Sequence, residues 1–188
     1  MQALRVAFAE QVAEIPVESL VFVDESGCNT AMTRRCARAP SSKRAHGTQP
    51  ANWGENITLM GAIRADQVAS IATVAAPTTT DMFDFYLEKF LLPALKPGDV
   101  LVWDNLAAHH AKRIEERVVA AGHRILFLPP YSPDLNPIES FWSKLKTALR
   151  RLAARTKDAL DEAITHALTT FQASDFAGYY ERCGYEVS

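Results

Sequence analysis

Three acidic residues, far apart in the chain, have the types and spacing needed for metal-dependent chemistry. Asp24 ends the apolar run of residues 20–23, and Asp104 ends the run of residues 100–103. A carboxylate at the end of a buried strand is costly in a low dielectric unless a cation neutralises it. Glu139 follows Asp104 with 34 residues between them. These acids predict a site for a divalent cation.

The segment around Glu139 permits a second interpretation of that residue. Asn136 is a favourable helix N-cap, Pro137 suits the first helical position, and Glu139 is then the third helical residue. A glutamate at this position commonly completes a capping box with the N-cap residue. The residues by themselves leave open whether Glu139 binds a cation or caps a helix.

Neighbouring residues are candidates for supporting roles. Asn105 directly follows Asp104, and we expect it to orient that side of the site. His109 lies one helical turn further along, where it could reach a phosphate; a histidine that merely starts a helix is the alternative. Tyr131 lies in a turn that prolines make rigid, and we expect it to hold Glu139 in position.

Basic residues cluster in two places, although the net charge is only −2. Residues 25–56 form a long irregular stretch that is too basic for a simple turn, and a second cluster follows Glu139. Both could bind DNA phosphates irrespective of sequence; a solvated loop and a solvated helix face are the alternatives. The predicted DNA-binding residues are Arg34, Arg35, Arg38, Lys43, Arg44, His109, Lys144, Lys146 and Arg150.

Hydrophobic periodicity and turn residues indicate the elements that position these side chains. The predicted strands are residues 20–24, 57–64, 68–75, 100–104 and 124–128, and the predicted helices are residues 2–14, 81–95, 108–121, 137–155 and 157–172. This order predicts an α/β fold whose mixed sheet has three antiparallel strands followed by parallel strands, flanked by helices. Sites in such sheets gather at the carboxyl ends of parallel strands, where Asp24 and Asp104 are expected.

Composition places the chain among ordinary globular domains. The 188 residues, 48% hydrophobic and 22% charged, suit one domain, residues 1–188. No apolar run approaches the roughly 20 residues that span a bilayer, and the N-terminus resembles no secretory signal. The three cysteines have neither zinc-ligand spacing nor an even number. We therefore expect a cytoplasmic protein with reduced thiols and no membrane partner.

Three motifs resemble the DDE catalytic domain of IS630-family transposases, relatives of the Tc1/mariner group. They are Asp24-Glu25-Ser26, then Trp103-Asp104-Asn105 with His109, and finally residues 129–142 with Lys144 and Lys146. The resemblance covers essentially the whole chain. It implies an RNase H-like fold, a bacterial protein associated with the nucleoid, and a homodimer that acts on paired DNA ends.

The resemblance also implies the chemistry. Asp24, Asp104 and Glu139 would hold two Mg²⁺ ions, with Mn²⁺ as a possible substitute, because hard cations prefer oxygen ligands. Such a pair assists displacement at phosphorus, first by water and then by a DNA 3′-hydroxyl. The DNA partners would be transposon terminal inverted repeats and a TA target. Glu25 is the alternative upstream ligand. Asp24 is preferred because consecutive strand residues point to opposite faces and because the family motif places the ligand at the aspartate.

One departure from the family concerns DNA recognition. No helix-turn-helix module fits ahead of Asp24, so we expect that module to be absent here and to come from an upstream reading frame, or the copy to be truncated. Two competing functions remain open. One is another RNase H-like nuclease, such as a junction resolvase; the other is an inactive remnant that regulates transposition by binding DNA or a transposase subunit.

Overall fold

Five strands form one mixed sheet in the computed structural model, which describes residues 2–52, 54–104 and 112–187. The strands are β1 (Leu20–Asn29), β2 (Asn56–Ile63), β3 (Val68–Val74), β4 (Val100–Trp103) and β5 (Arg124–Phe127). Their spatial order is β3-β2-β1-β4-β5. The pairs β1/β2 and β2/β3 are antiparallel, whereas β1/β4 and β4/β5 are parallel. The predicted mixed sheet is confirmed.

Six α-helices flank this sheet in the described part of the chain. They are α1 (Gln2–Ala13), α2 (Thr80–Tyr86), α3 (Lys112–Ala120), α4 (Pro137–Leu152), α5 (Lys157–Leu168) and α6 (Ala173–Arg182). Helix α5 begins at the predicted cap, where the Thr156 hydroxyl accepts a hydrogen bond from the Ala159 N–H at 3.2 Å. None of the described helices is long and apolar enough to cross a membrane.

Two helical predictions were wrong in detail. The single helix expected over residues 81–95 is divided into α2, a π-helical turn (Leu87–Leu91) and a 3-10 turn (Leu92–Ala94). Pro93 lies in the last of these turns and has no N–H to continue an α-helical ladder. The last predicted helix stops at Leu168, and α6 follows as a separate helix that the sequence interpretation missed.

The sheet has an apolar layer on each face because side chains alternate along its strands. Phe22 and Val102 belong to the layer that α4, α5 and α6 cover. Val21, Val23 and Trp103 belong to the opposite layer, which α2 and α3 cover. The strand pattern therefore determines which face of the sheet each acid occupies.

Helix α4 packs through apolar residues that recur every three or four positions. Ile138, Phe141, Leu145 and Leu149 are buried and share one helical face. The helix ends at Ala153, whose φ of 51° lies in the left-handed region. This packing fixes Glu139, on the first turn of α4, relative to the sheet.

The basic stretch between β1 and β2 is anchored at both ends. The Glu55 N–H donates to the Thr30 hydroxyl at 3.1 Å, and the guanidinium of Arg155 donates to the carbonyls of Thr30 and Met32, each at 3.0 Å. Gly54 has φ +65°, and a Cβ there would lie 2.2 Å from the Thr30 hydroxyl oxygen. Only glycine fits this closure.

Candidate active site

Strands β1 and β4 bring two of the predicted acids to one face of the sheet. Phe22 and Val102 are direct partners in the parallel register, and Asp24 and Asp104 each lie two residues further along. Because residues i and i+2 share a face, both aspartates point toward the side covered by α4. Both are partly buried.

All three predicted acids line the same cleft. Its volume is about 480 Å³, and its walls include Asp24, Asp104 and Glu139 together with residues of the turn that precedes α4. Glu139 is exposed on the first turn of that helix. The fold thus gathers three carboxylates from positions distant in the chain around one solvent-accessible space.

The pKa of Asp24 is affected by its burial and by the other two acids. Its pKa is raised to about 7, first because burial disfavours the charged carboxylate and next because Glu139 carries a like charge. Asp104 adds a smaller effect in the same direction. The raised pKa thus reflects burial first, and only then repulsion from the other anionic groups around the cleft.

Asp24 also accepts a hydrogen bond that the sequence did not indicate. The indole Nε1 of Trp142 donates to Asp24 Oδ2 at 3.2 Å. Because aromatic residues in amphipathic helices are usually core residues, its position predicts burial, and the Trp142 ring is indeed buried. Sequence reasoning found the burial but missed the polar contact, since the contact joins residues 118 positions apart.

Glu25, the alternative upstream ligand, lies on the other face of the sheet. It follows Asp24 in β1, and its charge acts on the buried Tyr86 hydroxyl of α2. It is not among the residues that line the cleft with Asp104 and Glu139. The geometry therefore favours Asp24 as the residue that faces the other two acids.

The capping-box interpretation of Glu139 is not supported by the contacts at the start of α4. Asn136 and Pro137 occupy the expected N-cap and first-turn positions, but the Asn136 side chain makes no capping hydrogen bond. The Glu139 N–H instead donates to the backbone carbonyl of Asn136 at 3.2 Å. Asn136 Oδ1 is buried without a hydrogen-bond partner beside the cleft.

The oxygen atoms that line this cleft are suitable ligands for a divalent cation. Carboxylate and amide oxygens are the ligands that Mg²⁺ and Mn²⁺ prefer, and the unpartnered oxygen of Asn136 adds to that set. However, no three histidine, cysteine, aspartate or glutamate side chains of the described residues form a group arranged to hold a metal ion. The acids share a cleft without a closed coordination shell.

The basic stretch and the end of α4 form a second cleft. Arg34, Arg35 and Arg38 face Arg150 and Arg151 across a space of about 690 Å³. Burial, together with the positive charge of Arg35, lowers the pKa of Arg150. Lys43 and Arg44 are exposed further along the loop. We call the space lined by the five arginines the arginine cleft.

Two lysines that were predicted to bind DNA instead interact with side chains of the protein itself. Lys144 Nζ lies 2.5 Å from Asp175 Oδ2 and 4.8 Å from the centre of the Phe171 ring. This contact connects α4 to the start of α6. Lys146 is partly buried and acts electrostatically on the Cys28 thiol in β1. Both lysines are therefore less available to a phosphate than the arginines of the arginine cleft.

Four further residues were predicted to support the site or to bind DNA, and the structure describes two of them. Tyr131 has φ 54° and a 90% exposed side chain, so its ring does not pack against α4 to hold Glu139. Pro137 is buried at the first position of α4. Asn105 and His109 lie outside the described residues.

The family of the chain follows from its sequence match. The model of the family described as DDE superfamily endonuclease matches residues 19–161, more than half of the chain, and the chain therefore belongs to this family. No curated protein sequence matches it significantly. The predicted membership of a DDE family is confirmed.

Solved structures show the same fold at low sequence identity. The catalytic domain of Mos1 mariner transposase superposes with a TM-score of 0.73 at 12% identity, covering 97% of this chain and 87% of that one. A Mos1 paired-end complex with the left transposon end gives a TM-score of 0.78 at 14% identity, covering 97% and 58%. The chain thus spans a little over half the length of that transposase. The predicted RNase H-like fold is confirmed.

Proposed function

We propose that this chain is the catalytic domain of an IS630-type transposase that cleaves DNA at transposon ends and joins them to target DNA. The observation that carries the proposal is the position of Asp24, Asp104 and Glu139 around one cleft in a DDE-family fold. Structures of Mos1 in paired-end and strand-transfer complexes support it by likeness of fold.

Asp24, Asp104 and Glu139 would hold the metal ions, with Asn136 Oδ1 beside them. A bound pair of Mg²⁺ ions supplies activation of the attacking oxygen and stabilisation of the leaving oxygen at phosphorus. The chain itself contributes rigid placement, since two acids extend from buried strands and the third from a helix packed on the same face. Such placement lowers the entropic part of the reaction barrier.

DNA would lie across both clefts on the α4 side of the sheet. The five arginines of the arginine cleft make no ion pair with any described residue, so they are available to phosphates. The exposed ring of Tyr131 lies beside the acids, where it suits stacking on an unpaired base. Homodimer formation and a helix-turn-helix segment from an upstream frame complete the proposal.

The test is a cleavage and joining assay on a labelled duplex carrying the terminal repeat of the element that encodes the chain. We expect nicking and joining with Mg²⁺ or Mn²⁺ and none with EDTA. Asp24→Asn, Asp104→Asn and Glu139→Gln should each lower the rate by at least about 100-fold, a size typical of groups that act on the reacting atoms. Glu25→Gln is the matched control, because Glu25 adjoins Asp24 but lies on the opposite face.

The possible outcomes separate the competing functions. Full activity in any of the three variants would refute the assignment of that acid. Cleavage of branched DNA without joining would favour another RNase H-like nuclease. Tight binding of the duplex with no cleavage under any metal would favour a regulatory remnant.

A further inference from the structure

Trp142 combines burial, a polar contact and a position in α4 that together link two of the acids. Its ring is 2% exposed, and its Nε1 donates to Asp24 Oδ2. An indole N–H has no acceptor function, so a buried tryptophan needs a partner for this one donor. Here the partner is the acid whose carboxylate faces the cleft.

The same side chain lies one turn after Glu139. Residues 139 and 142 are separated by three positions in α4, and residues at this spacing are neighbours on a helix surface. Trp142 therefore contacts the Asp24 carboxylate from β1 while its own backbone belongs to the helix that carries Glu139. A shift of α4 along the sheet would break this contact.

Gly61 provides the space that the ring occupies. Gly61 is the β2 partner of Asp24 in the sheet register. A Cβ at position 61 would lie 2.6 Å from Trp142 Cη2 and 3.0 Å from Cζ2. Because real Cβ atoms essentially never approach a ring atom so closely, any side chain at position 61 would displace the indole from Asp24.

We propose that Trp142 is a positioning residue that fixes the Asp24 carboxylate relative to Glu139, with Gly61 as the recess that admits its ring. The role rests on the proposed function, because it concerns the same acids. Packing alone would need only a large apolar ring at this position. The N–H in addition fixes the orientation of one carboxylate oxygen. Groups that hydrogen-bond to metal-binding side chains commonly have this role.

The contact itself can be tested without metal or DNA. The protein has three tryptophans, so a ¹H–¹⁵N spectrum contains three indole signals, which Trp→Phe variants assign. We expect the Trp142 signal to be protected from hydrogen exchange and to shift in Asp24→Ala. An unprotected signal that stays unchanged in Asp24→Ala would overturn the proposal.

The positioning role is tested by metal affinity. Trp142→Phe keeps a buried ring but removes the N–H, and we expect Mn²⁺ affinity, measured by calorimetry, to fall by about 10-fold or more. Gly61→Ala should cause a similar loss, and the double variant should lose little more than either single variant because both break the same contact. Trp103→Phe is the matched control, because it makes the same change on the opposite face of the sheet.

Failure of this proposal and failure of the proposed function give different results. Unchanged Mn²⁺ affinity in Trp142→Phe, in a protein whose melting temperature is retained, would refute the positioning role. If the unsubstituted protein bound no Mn²⁺, the proposed function would fail, and the indole signal would still decide whether the contact exists.

Discussion

At the scale of single residues, the environment of Asp24 distinguishes it from an ordinary surface acid. Burial and the charge of Glu139 raise its pKa to about 7, while the Trp142 N–H holds one of its oxygens. Structural acids in ion pairs have the opposite shift, since a nearby cation favours the charged form. A carboxylate kept among other carboxylates is a common property of functional sites.

The raised pKa of Asp24 predicts how stability changes with pH in protein freed of metal. The folded state favours the neutral acid, so this contribution is fully present below the ordinary pKa of about 4 and is lost as pH rises to about 7. Asp24→Asn removes the charge at all pH values. We expect this variant to melt at a higher temperature than the unsubstituted protein at pH 8, by calorimetry.

The control for this prediction is Asp66→Asn, which removes a carboxylate from the exposed turn between β2 and β3. The difference between Asp24→Asn and the unsubstituted protein should shrink as the pH falls toward 4. A variant that is less stable at pH 8 would show that ionised Asp24 stabilises the fold.

At the scale of elements, a buried ion pair joins the end of β2 to the start of β4. Arg64 and Asp99 form a bidentate contact, and both side chains are only 3% exposed. Asp99 Oδ2 also accepts a hydrogen bond from the Lys96 N–H at 2.5 Å. The pair holds the segment before β4 in place and thereby supports the register that aligns Asp24 with Asp104.

Loss of one partner of this pair should be costly. Arg64→Ala leaves Asp99 buried without its cation, and removal of one member of a buried pair typically costs about 3–5 kcal/mol of unfolding free energy. Arg113→Ala is the matched control, because Arg113 pairs with Asp81 on the exposed surface. Urea denaturation measures both variants, and equal losses would contradict the prediction.

The sequence predicted the elements better than it predicted their ends. Strands β1 to β5 and helices α4 and α5 were recognised because alternation, helical periodicity and caps such as Thr156 are local signals. Helix α6 was missed because its N-cap is Gln172, which is not among the preferred N-cap residues, so the capping box that it forms with Asp175 was not recognised. Tyr180 of α6 is buried, and its hydroxyl donates to the carbonyls of Leu20 and Ile63, in strands far away in the chain.

At the scale of the whole molecule, α4 connects the two clefts. Glu139 is on its first turn and Arg150 on its last, 11 residues apart, which corresponds to about 16 Å at 1.5 Å per residue. One DNA strand advances about 3.4 Å per nucleotide along the helix axis. For DNA running parallel to α4, as a strand that reached both clefts would, a phosphate in the arginine cleft would lie about five nucleotides from the phosphate at the acids.

The arginine cleft predicts a particular dependence of DNA binding on salt. Arg35→Ala and Arg150→Ala should each weaken binding of duplexes of any sequence and reduce the slope of log affinity against log salt by about one, since each removes one phosphate contact. Fluorescence anisotropy across a salt series measures this slope. Arg113→Ala, on the opposite face of the sheet, should leave it unchanged; a slope unchanged in Arg35→Ala and Arg150→Ala would exclude the cleft from DNA binding.

The sequence by itself determined the α/β class and the five strands and predicted the three acids as site residues, because these depend on local patterns and on motifs that can be recognised without coordinates. Only the tertiary structure decided that Asn136 makes no capping bond, that Lys144 pairs with Asp175, and that Trp142 contacts Asp24. Each of these facts depends on which elements pack together. The contact of Trp142 with Asp24, for example, joins residues 118 positions apart and leaves no periodic trace in the sequence of either partner.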